Sequence, residues 1–231
     1  RAQIEALPAS EDLTAADEAQ VTAAKQAFDA LGTLQEEISG ALQEKLEEAV
    51  QRMAGLMVPE FTEIYQATGA YLYCTVTNPV ISQAGGEWAV IGLARSGYPV
   101  SEEYFARYIA NVCQEVAEKE GVLDSRKYTE YSRVVLGLTA VGYDVTDVAG
   151  YNLLEPLADY DQVIWQGING PVYALLALDS RGYEIPAAPE GKTQTTREKL
   201  IEYILEKEIA SGGWALFGSS ADPDITAIAI Q

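Results

Sequence analysis

The chain has 231 residues, which fits one large domain or a small domain beside a medium one. Its 35 acidic and 15 basic residues leave a net charge of −20, which repels phosphate backbones and anionic lipid and so argues against nucleic-acid partners. Histidine is absent, which removes Ser-His-Asp and Cys-His catalysis and nearly every catalytic zinc arrangement.

Apolar residues make up 48%, enough to build a core, yet no run reaches the ~18 uninterrupted apolar residues of a spanning helix. No membrane insertion is therefore expected. Cys74 and Cys113 form no CxxC pair, and each reads as a small buried hydrophobe in an apolar helix. A single bridge between them stays open. The chain opens on Arg1 rather than Met and stops at Gln231 inside an apolar segment, which reads as a piece of a longer protein.

Residues 1–58 contain one aromatic, Phe28, and read as three short helices. Ile4 and Leu7 begin the first, which Pro8 helps to end. Thr14 with Asp17 three residues on has the form of a capping box and opens a second helix with an apolar face of Val21, Ala24, Phe28 and Leu31. Thr33 with Glu36 repeats the device for a third, carrying Ile38, Leu42, Leu46, Val50 and Met53 at helical spacing. Such helices can bury their stripes only against each other, so a three-helix bundle is expected, with a loose boundary where Gly55 and Pro59 interrupt helix. Ala6-Leu7-Pro8, Leu13-Thr14 with Asp17, and Ala27-Phe28-Asp29-Ala30-Leu31 resemble the three-helix modules of Gram-positive cell-surface proteins. That resemblance implies an exported or wall-associated parent and a spacer or binding role.

Beyond residue 60 an apolar, small-residue helix ending in Gly-Tyr recurs: Trp88 to Tyr98, Arg133 to Tyr143, and Val172 to Tyr183. The Gly-Tyr pairs lie 45 and 40 residues apart, room for two helices per repeat. A fourth copy begins at Asp224. Helices apolar nearly all round suit an inner layer, and glycine supplies the left-handed stop. Amphipathic helices opened by Ser101 and by the Thr195/Glu198 box alternate with them, which describes an α/α solenoid or toroid. In this arrangement Leu93, Val135, Leu136, Leu175 and Ile228 are expected to be buried, with Glu115, Glu118 and Glu202 facing solvent. Glu208-Ile-Ala-Ser-Gly212-Gly213-Trp214 resembles the QxxxGxW repeat of squalene cyclases, and Asp222-Pro-Asp224-Ile-Thr226-Ala227 resembles the start of a prenyltransferase or cyclase inner helix. The resemblance covers residues 66–231 and extends to cobalamin carriers. It implies a fold, while the toroid hosts unrelated activities.

Several residues could carry function. Asp222 and Asp224 could be a cyclase acid pair, but Ile225 breaks the family's Asp-x-Asp-Asp pattern, and an Asp before a helix commonly caps it. A prenyltransferase zinc site lacks its His. Trp88, Tyr128, Glu130, Tyr131, Arg133, Trp165 and Asn169 precede or open inner helices, with Trp214, Asp222 and Asp224 at the fourth; on a toroid these ten would gather at one rim as a stacking and hydrogen-bonding site. The competing reading makes them rim structure, with Glu130 and Arg133 paired locally. Tyr131, Arg133 and Asn169 would be the only set for a lyase-type acid-base pair.

The expected protein is thus all-α: a three-helix bundle over 1–58 and an incomplete α/α-toroid over 59–231. Its expected role is that of a non-enzymatic extracellular module binding a small molecule, glycan or protein. No metal or cofactor is expected. A corrinoid carrier is the alternative, and a cyclase- or lyase-like enzyme the second.

Overall fold

The Gly-Tyr stops are where the helical pattern becomes structure. Gly97, Gly142 and Gly182 all have positive φ, at 72°, 79° and 64°. After Gly142 the chain closes the helix with Tyr143 N–H on Leu138 O at 2.9 Å and Gly142 N–H on Thr139 O at 3.1 Å. Gly182 repeats this, with Tyr183 N–H on Leu178 O at 2.7 Å and Gly182 N–H on Asp179 O at 3.3 Å. This paired pattern satisfies carbonyls that a helix end otherwise leaves open. At Gly97 a side chain substitutes: Ser96 Oγ accepts from Tyr98 N–H at 3.2 Å and donates to Leu93 O at 2.9 Å.

In a computed structural model, residues 1–83 and 85–231 are described, apart from the side chains of residues 15 and 57–61. All named elements among them are helical: α1 (Ala2–Glu5), α2 (Glu18–Asp29), α3 (Gly40–Thr75), α4 (Glu87–Ser96), α5 (Glu102–Glu118), α6 (Thr129–Ala140), α7 (Tyr160–Val163), α8 (Asn169–Asp179), α9 (Arg197–Glu206) and α10 (Pro223–Ala229). No helix is long and apolar enough to cross a membrane among the described residues.

The chain divides into two units, Arg1–Thr68 and Gly69–Gln231. The boundary expected near 58/59 falls inside α3, which runs unbroken from Gly40 to Thr75. Leu46, Ala49 and Met53 of this helix are buried in the first unit, and Leu72 and Tyr73 join the core of the second.

In the first unit, Ile4, Leu7, Leu13, Val21, Ala24 and Leu46 share one core. Asp17 Oδ2 accepts both Thr14 N–H and Thr14 Oγ1–H at 2.9 Å, which holds its carboxyl below the usual range, but these bonds close a 3₁₀ turn, Ala15–Asp17, and α2 opens only after it, at Glu18, with no side-chain cap. Thr33 and Glu36 do not open α3. They lie in a 3₁₀ turn, Gly32–Glu37, and the helix starts after Ser39, whose carbonyl accepts Leu42 and Gln43 N–H.

In the second unit α4 packs on α6 and α6 on α8, with α9 and α10 against α8. Tyr104, Tyr108, Val112 and Val116 bring one face of α5 into the same core. Each Gly-Tyr tyrosine reaches an earlier helix. Tyr183 Oη lies 2.8 Å from Thr139 Oγ1, and Tyr143 Oη lies 3.5 Å from Cys113 Sγ. Tyr98 packs so closely on Gly69 that an added Cβ there would come within 2.7 Å of its ring. Cys74 and Cys113 are both free thiols.

Two expectations are corrected. The cap of α9 is Thr196, whose side chain accepts Lys199 N–H, whereas Thr195 is buried one residue too early to serve. Leu93 and Val135 are buried, but Leu136, Leu175 and Ile228 are only half-buried. They line a groove of about 690 Å³ on the side of α6, α8 and α10 that the described residues leave uncovered. Glu118 and Glu202 are exposed, and Glu115 is half-buried beside Lys119, 2.9 Å away.

The two leucines of α6 should therefore behave differently. Leu138 is fully buried, so Leu138→Ala should cost ~2–5 kcal/mol in urea unfolding. Leu136→Ala should cost clearly less. Equal losses would mean that the groove is filled in solution.

Candidate functional site: a tyrosine-walled cleft

The cleft of the second unit begins where α5 stops. Glu120 and Gly121 take φ of 52° and 80°, and Gly121 N–H bonds Val116 O at 2.9 Å. Asp124 Oδ1 then accepts the N–H groups of Arg126 and Lys127, each at 2.8 Å, which keeps its carboxyl below the usual range and leads the chain into α6. Tyr128 and Tyr131 sit three residues apart, so both rings fall on one side of the helix start. Their centroids are 5.2 Å apart at 57°. Tyr131 is buried and its hydroxyl accepts Leu123 N–H at 3.1 Å. Burial raises both phenols.

The opposite wall is a two-residue hairpin. Val148 and Tyr151 exchange backbone bonds of 2.8 and 3.1 Å around Ala149 and Gly150, whose φ values are 53° and 88°. Two consecutive positive φ angles mark the tight turn that favours glycine. The turn lays the Tyr151 ring on Gly121, where an added Cβ would come within 2.4 Å of it. Beyond it come Asn152, Glu155 and Asp159. Asp159 is the N-cap of α7 and is 6% exposed. A returning segment pins this end: Thr195 N–H bonds Ala158 O, and Tyr160 N–H bonds Thr193 O, both at 2.9 Å. It brings Lys192 Nζ to 3.2 Å from Asp159 Oδ2. The enclosed volume is about 660 Å³, within the range of small-molecule sites.

The ten residues expected at one rim are distributed over several places. Tyr128 and Tyr131 line the cleft. Glu130 and Arg133 face a separate buried polar cluster. Arg133 lies 2.5 Å from Glu130 Oε1, and Ser82 Oγ bonds the other Glu130 oxygen. Glu87, fully buried, accepts Ser82 N–H at 3.0 Å through Oε1. Glu87 Oε2, Tyr108 Oη and Arg133 Nε are buried with no partner among the described residues. Trp88, 43% exposed, packs against Tyr173 at 5.9 Å. Trp165 is 65% exposed, and Asn169 is the first residue of α8. The neighbouring Gln166, by contrast, accepts Thr129 N–H at 3.0 Å and so holds the start of α6.

Trp214 and Asp222 are engaged in holding the fold, whereas Asp224 is not. Trp214 is buried, with Nε1–H on Ile204 O at 2.7 Å. Asp222 Oδ1 accepts the N–H groups of Asp224 and Ile225 at 2.9 and 3.0 Å, making it the cap of α10. Asp224 is exposed in the first turn of that helix. Among the described residues no cluster of acidic or thiol groups could hold a metal. Tyr151, Asn152, Glu155 and Asp159 were missed from sequence because they lie between repeat copies. The signal that could have found them is Ala149-Gly150 between Val148 and Tyr151.

Two outcomes follow. Asp222→Ala should cost about 0.5–2 kcal/mol and Asp222→Asn little, because Asn caps about as well as Asp; Asp224→Ala should leave thermal melting nearly unchanged. Burial raises Glu87 above its ordinary 4.5, more than the Ser82 N–H bond and the Arg133 charge lower it, and Glu130 adds to the rise. The folded state thus binds the proton more tightly than the unfolded one. Its stabilisation is complete below the unfolded pKa and is lost as pH rises through the folded value. Glu87→Gln should therefore gain in melting temperature relative to the parent as pH rises from the ordinary glutamate value of 4.5 through the raised folded one. A difference that stays constant over that range would contradict the assignment. Comparison with family models, curated proteins and solved structures returned no match to this chain.

Proposed function

We propose that the second unit is a non-enzymatic ligand-binding module of α/α-hairpin repeats, seating a small molecule or glycan in the cleft of Tyr128, Tyr131 and Tyr151. The reading rests on one observation: a cavity of about 660 Å³ that combines aromatic faces with Asn152, Glu155 and Asp159. Aromatic faces stack on the apolar face of a sugar ring, and a few polar groups fix its orientation. The succession of α4, α6, α8 and α10, each packed on the last, supports an incomplete toroid. The shared core of α1, α2 and the start of α3 supports a three-helix module in the first unit, acting as a spacer. The resemblance of residues 1–56 to Gram-positive surface modules is what supports a secreted or wall-associated bacterial parent.

The cyclase alternative has little support, since Asp222 is occupied in capping and Asp224 faces solvent. For the lyase set, the Tyr131 hydroxyl already accepts Leu123 N–H and Arg133 is paired with Glu130.

Titration of the ¹⁵N-labelled chain with a panel of neutral and charged oligosaccharides should move the amides of 120–131 and 148–160. Tyr128→Ala should weaken binding about tenfold or more, as for a lost stacking face of 1–3 kcal/mol. No shift in these segments with any saccharide, or equal binding by the Ala variant, would remove the proposal.

A further inference from the structure

We infer that Arg133 is a proton-controlled clasp: it grips Glu130 while Glu87 is neutral and turns to Glu87 when that carboxyl ionises, loosening the tie between Ser82 and α6. The inference concerns the polar cluster of Glu87, Tyr108, Glu130 and Arg133 and stands independently of the cleft.

The cluster sets one cation between two carboxylates. Glu87 opens α4, and its Oε1 accepts Ser82 N–H at 3.0 Å. Glu130, in the first turn of α6, accepts the hydroxyl of the same serine through Oε2. Two acids from two helices thus converge on Ser82. The guanidinium of Arg133 stands on Glu130, 2.5 Å from its Oε1. Glu87 Oε2 and Arg133 Nε are meanwhile both buried and without a partner among the described residues. The two groups lie within each other's field. An unused acceptor facing the field of an unused donor is an ion pair that has not been made.

Protonation of Glu87 accounts for this. A neutral carboxyl needs no counter-ion, and burial favours that form of Glu87. Once the proton leaves, a fully buried carboxylate stands without a cation, which is strongly unfavourable. Glu130 is the easier of the two acids to release. Its side chain is 15% exposed and that of Arg133 22%, so water can solvate Glu130 when the guanidinium leaves, whereas Glu87 is out of reach of solvent. The edge of a guanidinium that carries Nε and one terminal nitrogen matches a carboxylate with two parallel bonds.

The other titratable groups packed here keep their protons and leave the switching to Glu87. Tyr108 of α5 feels the charges of both Glu87 and Arg133, and burial holds its phenol far above the neutral range. Its hydroxyl, buried without a partner among the described residues, can accept from a neutral carboxyl or donate to a carboxylate, and so serves either state. Tyr173 of α8 lies in the field of Arg133, and burial raises its phenol by more than that charge lowers it.

The test is NMR of the full chain, labelled with ¹⁵N in arginine and ¹³C in the glutamate carboxyls, titrated over the pH range in which it stays folded. As the Glu87 carboxyl titrates, the Arg133 Nε–H should move downfield and exchange more slowly with water. The Ser82 amide and the Glu130 carboxyl carbon should shift with the same midpoint. In Glu87→Gln the Arg133 signal should hold its low-pH position throughout. Glu130→Gln removes the competing charge, so the Arg133 signal should reach its downfield position at a lower pH than in the parent. That variant decides alone if Glu87→Gln melts early. A Glu87 carboxyl that titrates while the Arg133 Nε–H stays still would overturn the inference. So would an Arg133 transition that survives in Glu87→Gln, or a Glu87 carboxyl that does not titrate.

Discussion

The interaction on which the second unit depends is the closure of α6 and α8 by a left-handed glycine followed by tyrosine. A helix apolar on most sides must end abruptly, or its carbonyls would lie unpaired against the core. Gly142 and Gly182 end theirs with two backbone bonds each, and the following tyrosine is turned back toward an earlier helix. The Tyr183–Thr139 contact ties the third copy of the pattern to the second at 2.8 Å. One dipeptide thus supplies both the stop and the link between repeats.

The cleft is a by-product of how that stacking is joined. Repeats of this kind leave their functional groups in connections, because the helices themselves are committed to packing. The connection between α6 and α8 is long; it folds back on itself through the Val148–Tyr151 hairpin and is pinned by the pairing of Asp159 with Gln194 of the α8–α9 connection. These contacts place Tyr151 over Gly121 and bring Asp159 to the start of α6. Gln166, from the same connection, caps Thr129 N–H and fixes where that start lies. The tyrosine pair at the start of α6 is therefore oriented by a segment well beyond it in the chain.

A second polar centre lies apart from the cleft, around Glu87, Tyr108 and Arg133. Burying a carboxyl beside an unpaired phenol and an unpaired guanidinium Nε is costly. The neighbouring Ser82–Glu130–Arg133 contacts offset part of that cost, and burial holds Glu87 toward its neutral form. Nearby, Gly137 lies so close to Tyr108 that an added Cβ would come within 2.3 Å of the phenol oxygen. The tyrosine of α5 and the glycine of α6 are thus mutually required.

The helical pattern was legible in the sequence because its signals are local. Glycine positions for left-handed stops, apolar faces at helical spacing, and the Asp222 cap need only neighbouring residues to act, so the all-helical class follows from composition and pattern. Glu130 and Arg133 were also readable as a local pair, being three apart on one helix. Three things were decided only by tertiary packing. Gly55 and Pro59 looked like a break, but the helix α3 spans Gly40–Thr75. Leu136, Leu175 and Ile228 looked fully buried, and the packing of α6, α8 and α10 left that side open. Tyr128 and Tyr131 were visible as aromatics, but nothing in the chain order joins them to Tyr151 or Asp159. Those partners meet only where a hairpin, a cap and a returning loop converge, and spatial convergence of distant segments has no local period for a sequence to display.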